Sequence, residues 1–287
     1  MRPLLSAVAS VLAVFVAFVA GVSAVADAPQ DTPTTGQIEL GLENIEARAA
    51  LVYDPASGRV LYQKNAIESL PLASLAKLMT AQAVLAAYPE NAYFPITREN
   101  LRPEGDSGLR PGERLTLTEL IDLALVASSN DAAAAAAAAF DEPAVELNKT
   151  AERLALTKTH FLNPTGLDID GDSAGARGSA YDMARLAAAF YKKYPTYFEQ
   201  TARGSVTVQA AGHTIVEDAT TAPLQNIPGF VGAKTGYTEL AGGNLVAIVD
   251  MEIGRPVVAV VLGSSREGRF KDIKTLITAA RNNYGKF

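Results

Sequence analysis

Two short runs near residue 50, AALVYD (49–54) and RVLYQK (59–64), are β-prone and flank Asp54-Pro55-Ala56-Ser57-Gly58. That linker carries Pro and Gly where a tight reversal takes them, so the pair predicts a hairpin. The period then lengthens. Leu78, Ala81, Leu85 and Tyr88 fall on one helical stripe that begins after Ser74 and stops at Pro89. Thr116-Leu117-Thr118-Glu119 reads as a capping box ahead of Leu120, Leu123, Ala124 and Ala127. The eight alanines 132–139 follow Asn130 and Asp131, both good N-caps, and predict a tightly packed helix. Two further helical patterns, Ala144–Leu156 and Ala180–Tyr191, are separated by the irregular NPTGLDIDGDSAGARG.

The last third changes character again. GFVGAKTGYT, NLVAIVDME and RPVVAVVLGSS are strand-like runs joined by short Gly-bearing turns, and an amphipathic helix covers Arg269 to Asn282. Strands at both ends with helices between them predict one α+β domain over residues 47–287, whose antiparallel sheet unites the N-terminal hairpin with the C-terminal strands.

Residues 1–26 stand apart. One basic residue, Arg2, precedes an apolar run that ends in Ala24-Val25-Ala26, the small-residue pattern of a signal-peptidase site. An uncleaved anchor is the other reading, because about 20 apolar residues suffice to span a bilayer. Either way the domain is expected to be exported to the periplasm or cell envelope, with membrane attachment only through residues 3–26. Residues 27–46, rich in Pro, Thr, Asp and Gly, read as a linker.

Composition narrows the chemistry. The chain of 287 residues is 48% hydrophobic with a net charge of -6, which argues against a nucleic-acid partner needing a concentrated basic face. It has no cysteine, so thiolate nucleophiles, disulfides and cysteine-held metals are excluded. Its two histidines, His160 and His213, lie near no G-x-S-x-G elbow and in no H-E-x-x-H, and read as structural or surface residues. A hydrolase built from this chain would therefore need a base other than histidine, and neither a metal nor a cofactor is expected. PLASLAKLMT places Lys77 one helical turn after Ser74 in a run without other charge. Burying an ammonium group is costly, and a lysine so placed has its pKa lowered toward that of a base for the serine hydroxyl. S-x-x-K alone is a weak signal.

Two more segments change its weight. Ser128-Ser129-Asn130 falls at a helix-to-helix junction and Lys234-Thr235-Gly236 on a strand. S-x-x-K, S-x-N and K-T-G in this order resemble the signature of the penicillin-binding proteins and serine β-lactamases. With PLASLAKLMTA, LIDLALVASSNDAA, THFLNPTGLD and GAKTGYTELAGGNL, the chain after the linker resembles the low-molecular-mass penicillin-binding proteins, the serine D-alanyl-D-alanine carboxypeptidase family. The resemblance implies a β-lactamase/transpeptidase-like fold with a helical subdomain set against the sheet. It implies Ser74 as the acylated nucleophile, Lys77 as its base, Ser128 as proton relay to the leaving amine and Asn130 as holder of the substrate amide. Lys234 and Thr235 would bind the terminal carboxylate, Gly236 would let substrate backbone approach, and the N–H groups of Ser74 and Tyr237 would form an oxyanion hole. Arg269 matches a family arginine near the carboxylate. The implied partners are peptidoglycan stem peptides ending in D-Ala-D-Ala, with β-lactams as acylating inhibitors.

The departures are small at the motifs: Ala76 where the family often has Thr, and Ser129 where Gly is frequent. The chain ends at NNYGKF without the β-rich second domain of many relatives, which is the pattern of a single-domain branch that includes D,D-endopeptidases and transpeptidases. Hydrolysis of a terminal D-Ala is the expected activity; cleavage of cross-links, or a non-catalytic penicillin-binding scaffold or sensor, are the alternatives. EPAVELN, beginning at Glu142, resembles the deacylating segment of class A β-lactamases but sits in a helical pattern that the carboxypeptidase resemblance already explains.

Overall fold

The continuous apolar runs of the last third become strands buried on both faces, the pattern expected where a sheet is covered from each side. The computed structural model describes residues 44–105 and 107–284. The expected leader or anchor, residues 1–26, and linker residues 27–43 lie outside these.

Five antiparallel strands form the main sheet: β1 (Ala49–Asp54), β2 (Arg59–Lys64), β10 (Phe230–Thr238), β11 (Gly242–Asp250) and β12 (Pro256–Ser264). Their order is β10-β11-β12-β1-β2, so the N-terminal hairpin pairs with the last strand, Ala50 opposite Val261. Alternation sorts the side chains. Leu51, Val246, Ile248, Val258 and Val260 face a large core, while Val52, Leu245, Ala247, Ala259 and Val261 face a second core under α7 (Gly268–Asn283). The chain is packed from before β1: Ile45 lies in that second core, and Asp272 of α7 accepts from the Glu46 N–H (3.0 Å), the Ala47 N–H (2.8 Å) and the Ser264 hydroxyl (2.8 Å).

The other face carries the helices: α1 (Ala76–Ala87), α2 (Leu117–Asp122), α3 (Asn130–Ala137), α4 (Pro143–Arg153), α5 (Ala180–Lys193) and α6 (Pro195–Gln200). The sequence predicts one apolar stripe on α1, but every residue from Ala76 to Leu85 is buried, because α3, α4 and α5 surround it. The alanine run of α3 lets it sit close beside α1, with Ala132, Ala133, Ala135 and Ala136 buried. Its N-cap is Ser129, whose hydroxyl accepts from the Ala132 N–H, rather than Asn130 or Asp131. The Thr116–Glu119 capping box forms at α2 as expected.

Short pairings tie the lobe together: β4 (Tyr93–Pro95) with β5 (Arg114–Thr116), and β7 (Ala176–Gly178) with both β3 (Leu70–Pro71) and β6 (His160–Phe161). A hairpin absent from the sequence reading, β8 (Ser205–Ala210) with β9 (His213–Asp218), packs near the end of the α2 region.

Candidate active site

Ser74 sits in a single tight turn, Ala73–Leu75, between β3 and α1. The turn is held from both sides: the Leu72 N–H donates to the Ala176 carbonyl (2.9 Å), and Asn244 Nδ2 donates to the Pro71 carbonyl (2.9 Å). Ala73 has φ +48°, a left-handed conformation unusual for a residue with a Cβ, immediately before the serine. Such strain persists only where the surroundings over-determine it.

Lys77, on the first turn of α1, is wholly buried, and its Nζ lies 2.7 Å from Ser74 Oγ, 2.7 Å from Asn130 Oδ1 and 2.9 Å from the Thr165 carbonyl. Burial lowers its pKa from 10.5 to about 7. The partners decide where the lone pair goes. Asn130 Oδ1 and the Thr165 carbonyl can only accept, so the two N–H bonds of a neutral amine are taken by them. The lone pair is left facing the one partner able to donate, the Ser74 hydroxyl. This is the arrangement of a base about to receive a proton.

The opposite wall is β10, the edge of the main sheet. Lys234 is also wholly buried and donates to Ser128 Oγ (2.8 Å) and the Thr235 carbonyl (2.9 Å). Burial holds its ammonium well below the ordinary range, and the neighbouring Lys77 and Arg269 push the same way. Ser128 caps a π-helical turn, Leu123–Ala127, and is itself left-handed at φ +63°, which turns its hydroxyl toward Lys234. Arg269, 8% exposed, donates from Nη1 to the Gly236 carbonyl (2.7 Å), and its buried Nε has no hydrogen-bond partner among the described residues. Thr235 Oγ1 pairs with Thr220 Oγ1 at 2.8 Å, and Tyr237 is exposed with the Arg266 guanidinium over its ring.

Gly236 departs from the expectation. A Cβ there would lie 2.9 Å from the Leu72 carbonyl and 3.2 Å from Ser74 N, so its lack of a side chain lets the strand approach the protein's own serine turn. A cavity of about 760 Å³ opens along this seam, lined by Asn130, Glu104, Leu167, Asp168, Tyr237 and Leu240 among others. Every motif residue read from the sequence is thus on one cleft. His213 instead meets the Gly108 carbonyl and Glu113, His160 is exposed on β6, and Glu142 is exposed at the start of α4.

The sequence reading missed what holds the two walls. The turn 163–166 offers Lys77 its second acceptor, and Gly166, at φ +78°, touches the serine turn so closely that a Cβ would fall 1.9 Å from the Ala73 carbonyl. Asp168 then bonds Thr238 Oγ1 (3.0 Å) and the Leu240 N–H (3.2 Å) at the end of β10. The available signal was Gly166 itself, in a segment quoted only as a resemblance.

A serine hydrogen-bonded to a buried lysine, with a second buried lysine on the edge strand opposite, is an arrangement that can support acyl transfer. Residues 34–266 match the family model for D-alanyl-D-alanine carboxypeptidase, peptidase family S11, and the chain belongs to that family. It is 31% identical over 83% of its length to D-alanyl-D-alanine carboxypeptidase DacF of Bacillus subtilis, of which it spans 63%. It is 31% identical over 71% of its length to a D-alanyl-D-alanine endopeptidase of Pseudomonas aeruginosa, covering 67% of that protein. Its fold resembles ampicillin-bound penicillin-binding protein D2 of Listeria monocytogenes with a TM-score of 0.72 at 30% identity, covering 82% of this chain and 97% of the other.

Proposed function

We propose that the protein is a serine D-alanyl-D-alanine carboxypeptidase that removes the terminal D-Ala of peptidoglycan stem peptides through an acyl-enzyme on Ser74. The observation that carries this reading is the lone-pair geometry of Lys77, with both of its N–H bonds committed and Ser74 Oγ 2.7 Å away.

Neutral Lys77 takes the hydroxyl proton as Ser74 Oγ attacks the scissile carbonyl. The N–H groups of Ser74 and Tyr237 receive the oxyanion, a role supported by the close approach of Gly236, the residue before Tyr237, to Ser74 N. Ser128, hydrogen-bonded to Lys234, delivers a proton to the departing D-Ala nitrogen, and Asn130 Nδ2 holds the substrate amide. The D-Ala carboxylate lies against Lys234, Thr235 and Arg269, where its negative charge favours the ammonium form of Lys234 that burial disfavours. Water then hydrolyses the acyl ester. A β-lactam amide enters the same path and stalls at the ester, so β-lactams are expected to label Ser74. The apolar residues 3–26 fit export of the domain to the periplasm or cell envelope, where this substrate lies.

Cleavage of cross-links is the second reading, favoured by the likeness to the Pseudomonas endopeptidase. Mass spectrometry of products from the purified protein with pentapeptide monomers and with cross-linked dimers separates the two. Loss of one alanine from monomers, with dimers intact, is the expected result; dimers falling to monomers would replace it with the endopeptidase. No product from either, with Ser74 still labelled by penicillin, would leave a sensor or scaffold.

A further inference from the structure

Lys77 can aim its lone pair only if both acceptors on its other side are fixed. Asn130 is fixed by α3 and by donation from its Nδ2 to the Glu104 carbonyl. The Thr165 carbonyl lies in a loop between β6 and β7 and belongs to no helix or strand, so something else must hold it.

We propose that Asn163 is the positioning residue for the general base, acting through the Thr165 carbonyl. Its side chain makes four hydrogen bonds, all inside one turn. Oδ1 accepts from Thr165 N (3.2 Å), Thr165 Oγ1 (3.0 Å) and Gly166 N (2.7 Å), while Nδ2 donates to the Leu167 carbonyl (2.9 Å). Gathering the N–H groups of residues 165 and 166 on one oxygen fixes the peptide plane between them. That plane carries the Thr165 C=O, which is therefore held outward toward Lys77 Nζ at 2.9 Å. Thr80 fixes the preceding carbonyl, its hydroxyl donating to Pro164 O at 2.7 Å. The fit around Asn163 is tight: a Cβ on Gly175 would lie 2.2 Å from Asn163 Nδ2. Asn163 does not itself line the cleft, and its one link to the lining is the bond to the Leu167 carbonyl, so its part is to orient Lys77 and not to meet substrate.

The charged group that faces Lys77 is Lys234 on β10, which in turn stands beside Arg269 of α7, while Asp168 and Glu104 line the cavity along the seam. Asn163→Ala removes the oxygen that fixes the peptide plane and frees the Thr165 carbonyl. Asn163→Asp keeps an oxygen to collect the three donors, gives up the bond to the Leu167 carbonyl and adds a negative charge, which favours the ammonium form of Lys77 and moves the base limb of the pH profile upward.

The inference rests on acylation of Ser74 by way of Lys77. Its test is the first-order rate constant for labelling by a fluorescent penicillin, followed from pH 5 to 10 in the full chain and in both variants. The labelled fraction reports how much protein is folded, whereas the rate constant reports the folded molecules alone. The expected result is an Asn163→Ala rate constant lower by about tenfold to a hundredfold with pre-acylation binding unchanged. For Asn163→Asp a near-normal plateau is expected, with its limb displaced upward by about one pH unit. Asn163→Ala labelling at the parental rate constant, a fall only in labelled fraction, or an unmoved limb in Asn163→Asp would each overturn the assignment. If the parent protein itself does not label, the failure lies with the acylation reading instead.

Discussion

The cleft sets one buried lysine on each wall, and the two are built differently. Lys77 has a full set of partners, two obligate acceptors and one hydroxyl, and sits in a helix packed on every side. Lys234 has one hydroxyl and its own neighbour's carbonyl, and stands beside the like charge of Arg269. Complete partnering with a neutral amine suits a base, because nothing further is needed for it to accept a proton. Incomplete partnering with surplus positive charge suits a binding site, because an incoming anion supplies what is lacking.

The sharpest way to break this contrast is to remove the base. Lys77→Met keeps the length and loses the amine, and the acylation rate constant should fall by about 10²–10⁴-fold. In the parent protein the rate should rise with pH through about 7, as Lys77 loses its proton. Stability should carry the same signature. Lys77 is charged in the unfolded chain up to about pH 10.5 but neutral in the fold above about 7, so between these values the unfolded state binds more protons and stability increases with pH. Lys77→Met should remove that part of the slope in denaturant titrations; an unchanged slope would mean that another group carries it.

The second wall predicts a different loss. Lys234→Met should cost about tenfold to a hundredfold in kcat/KM on a peptide with a free C-terminal carboxylate, the worth of one hydrogen bond to a charged group. The same peptide as a C-terminal amide should be almost unaffected. An equal loss on both substrates would make Lys234 part of the proton path rather than a carboxylate site.

How much of this was legible beforehand follows from the kind of interaction. The two strand runs at residues 49–64 and the three at 230–264 could be read because each carries its own pattern and its own turn chemistry. That Ser74, Lys77, Ser128, Asn130 and Lys234 come together could be read because short motifs in a fixed order leave a local mark. The stripe expected on α1 failed because an amphipathic pattern assumes that one face meets water, and α1 is enclosed by three helices. The β8–β9 hairpin carries a signal the reading passes over, Val206 and Val208 alternating with exposed polar residues, although β9 adds only Ile215 as a buried position. Asn163 and Gly166 went unassigned because what their turn serves, the Lys77 amine through the Thr165 carbonyl and the close approach to the Ala73 carbonyl, lies about ninety residues away.

Two glycines sharpen the comparison between the loop and the strand as supports for the serine turn. At Gly166 a Cβ would meet the Ala73 carbonyl at 1.9 Å, at a backbone angle that disfavours any side chain. Gly166→Ala should therefore destabilise by about 1–3 kcal/mol or more, lowering Tm by about 2–4 °C for each kcal/mol. At Gly236 the nearest atom, the Leu72 carbonyl oxygen, is 2.9 Å away and φ is unexceptional, so Gly236→Ala should lower Tm by less than Gly166→Ala does. It should slow acylation by displacing the strand from Ser74. Calorimetry and penicillin labelling together read both effects, and a larger Tm loss in Gly236→Ala would reverse the order of the two supports.

The smallest effect is expected farthest from the cleft, and it tests whether the sheet's second core is separate from the chemistry. Asp272 uses both carboxylate oxygens to collect the Glu46 and Ala47 N–H groups and the Ser264 hydroxyl, fixing the start of the packed chain to α7. In Asp272→Asn one of those oxygens becomes an NH2 facing an N–H donor, so one bond is lost and a donor is left unmet, at about 1–3 kcal/mol. Arg269 lies three residues earlier on the same helix and is bonded to Gly236, so a shift of α7 would reach the proposed carboxylate site through it. The expected outcome is a lower Tm with the acylation rate constant and the KM for carboxylate substrates unchanged, since the Arg269–Gly236 bond does not depend on Asp272. A raised KM would show that the second core also sets the position of Arg269, and the separation of the two regions would then fail at this helix.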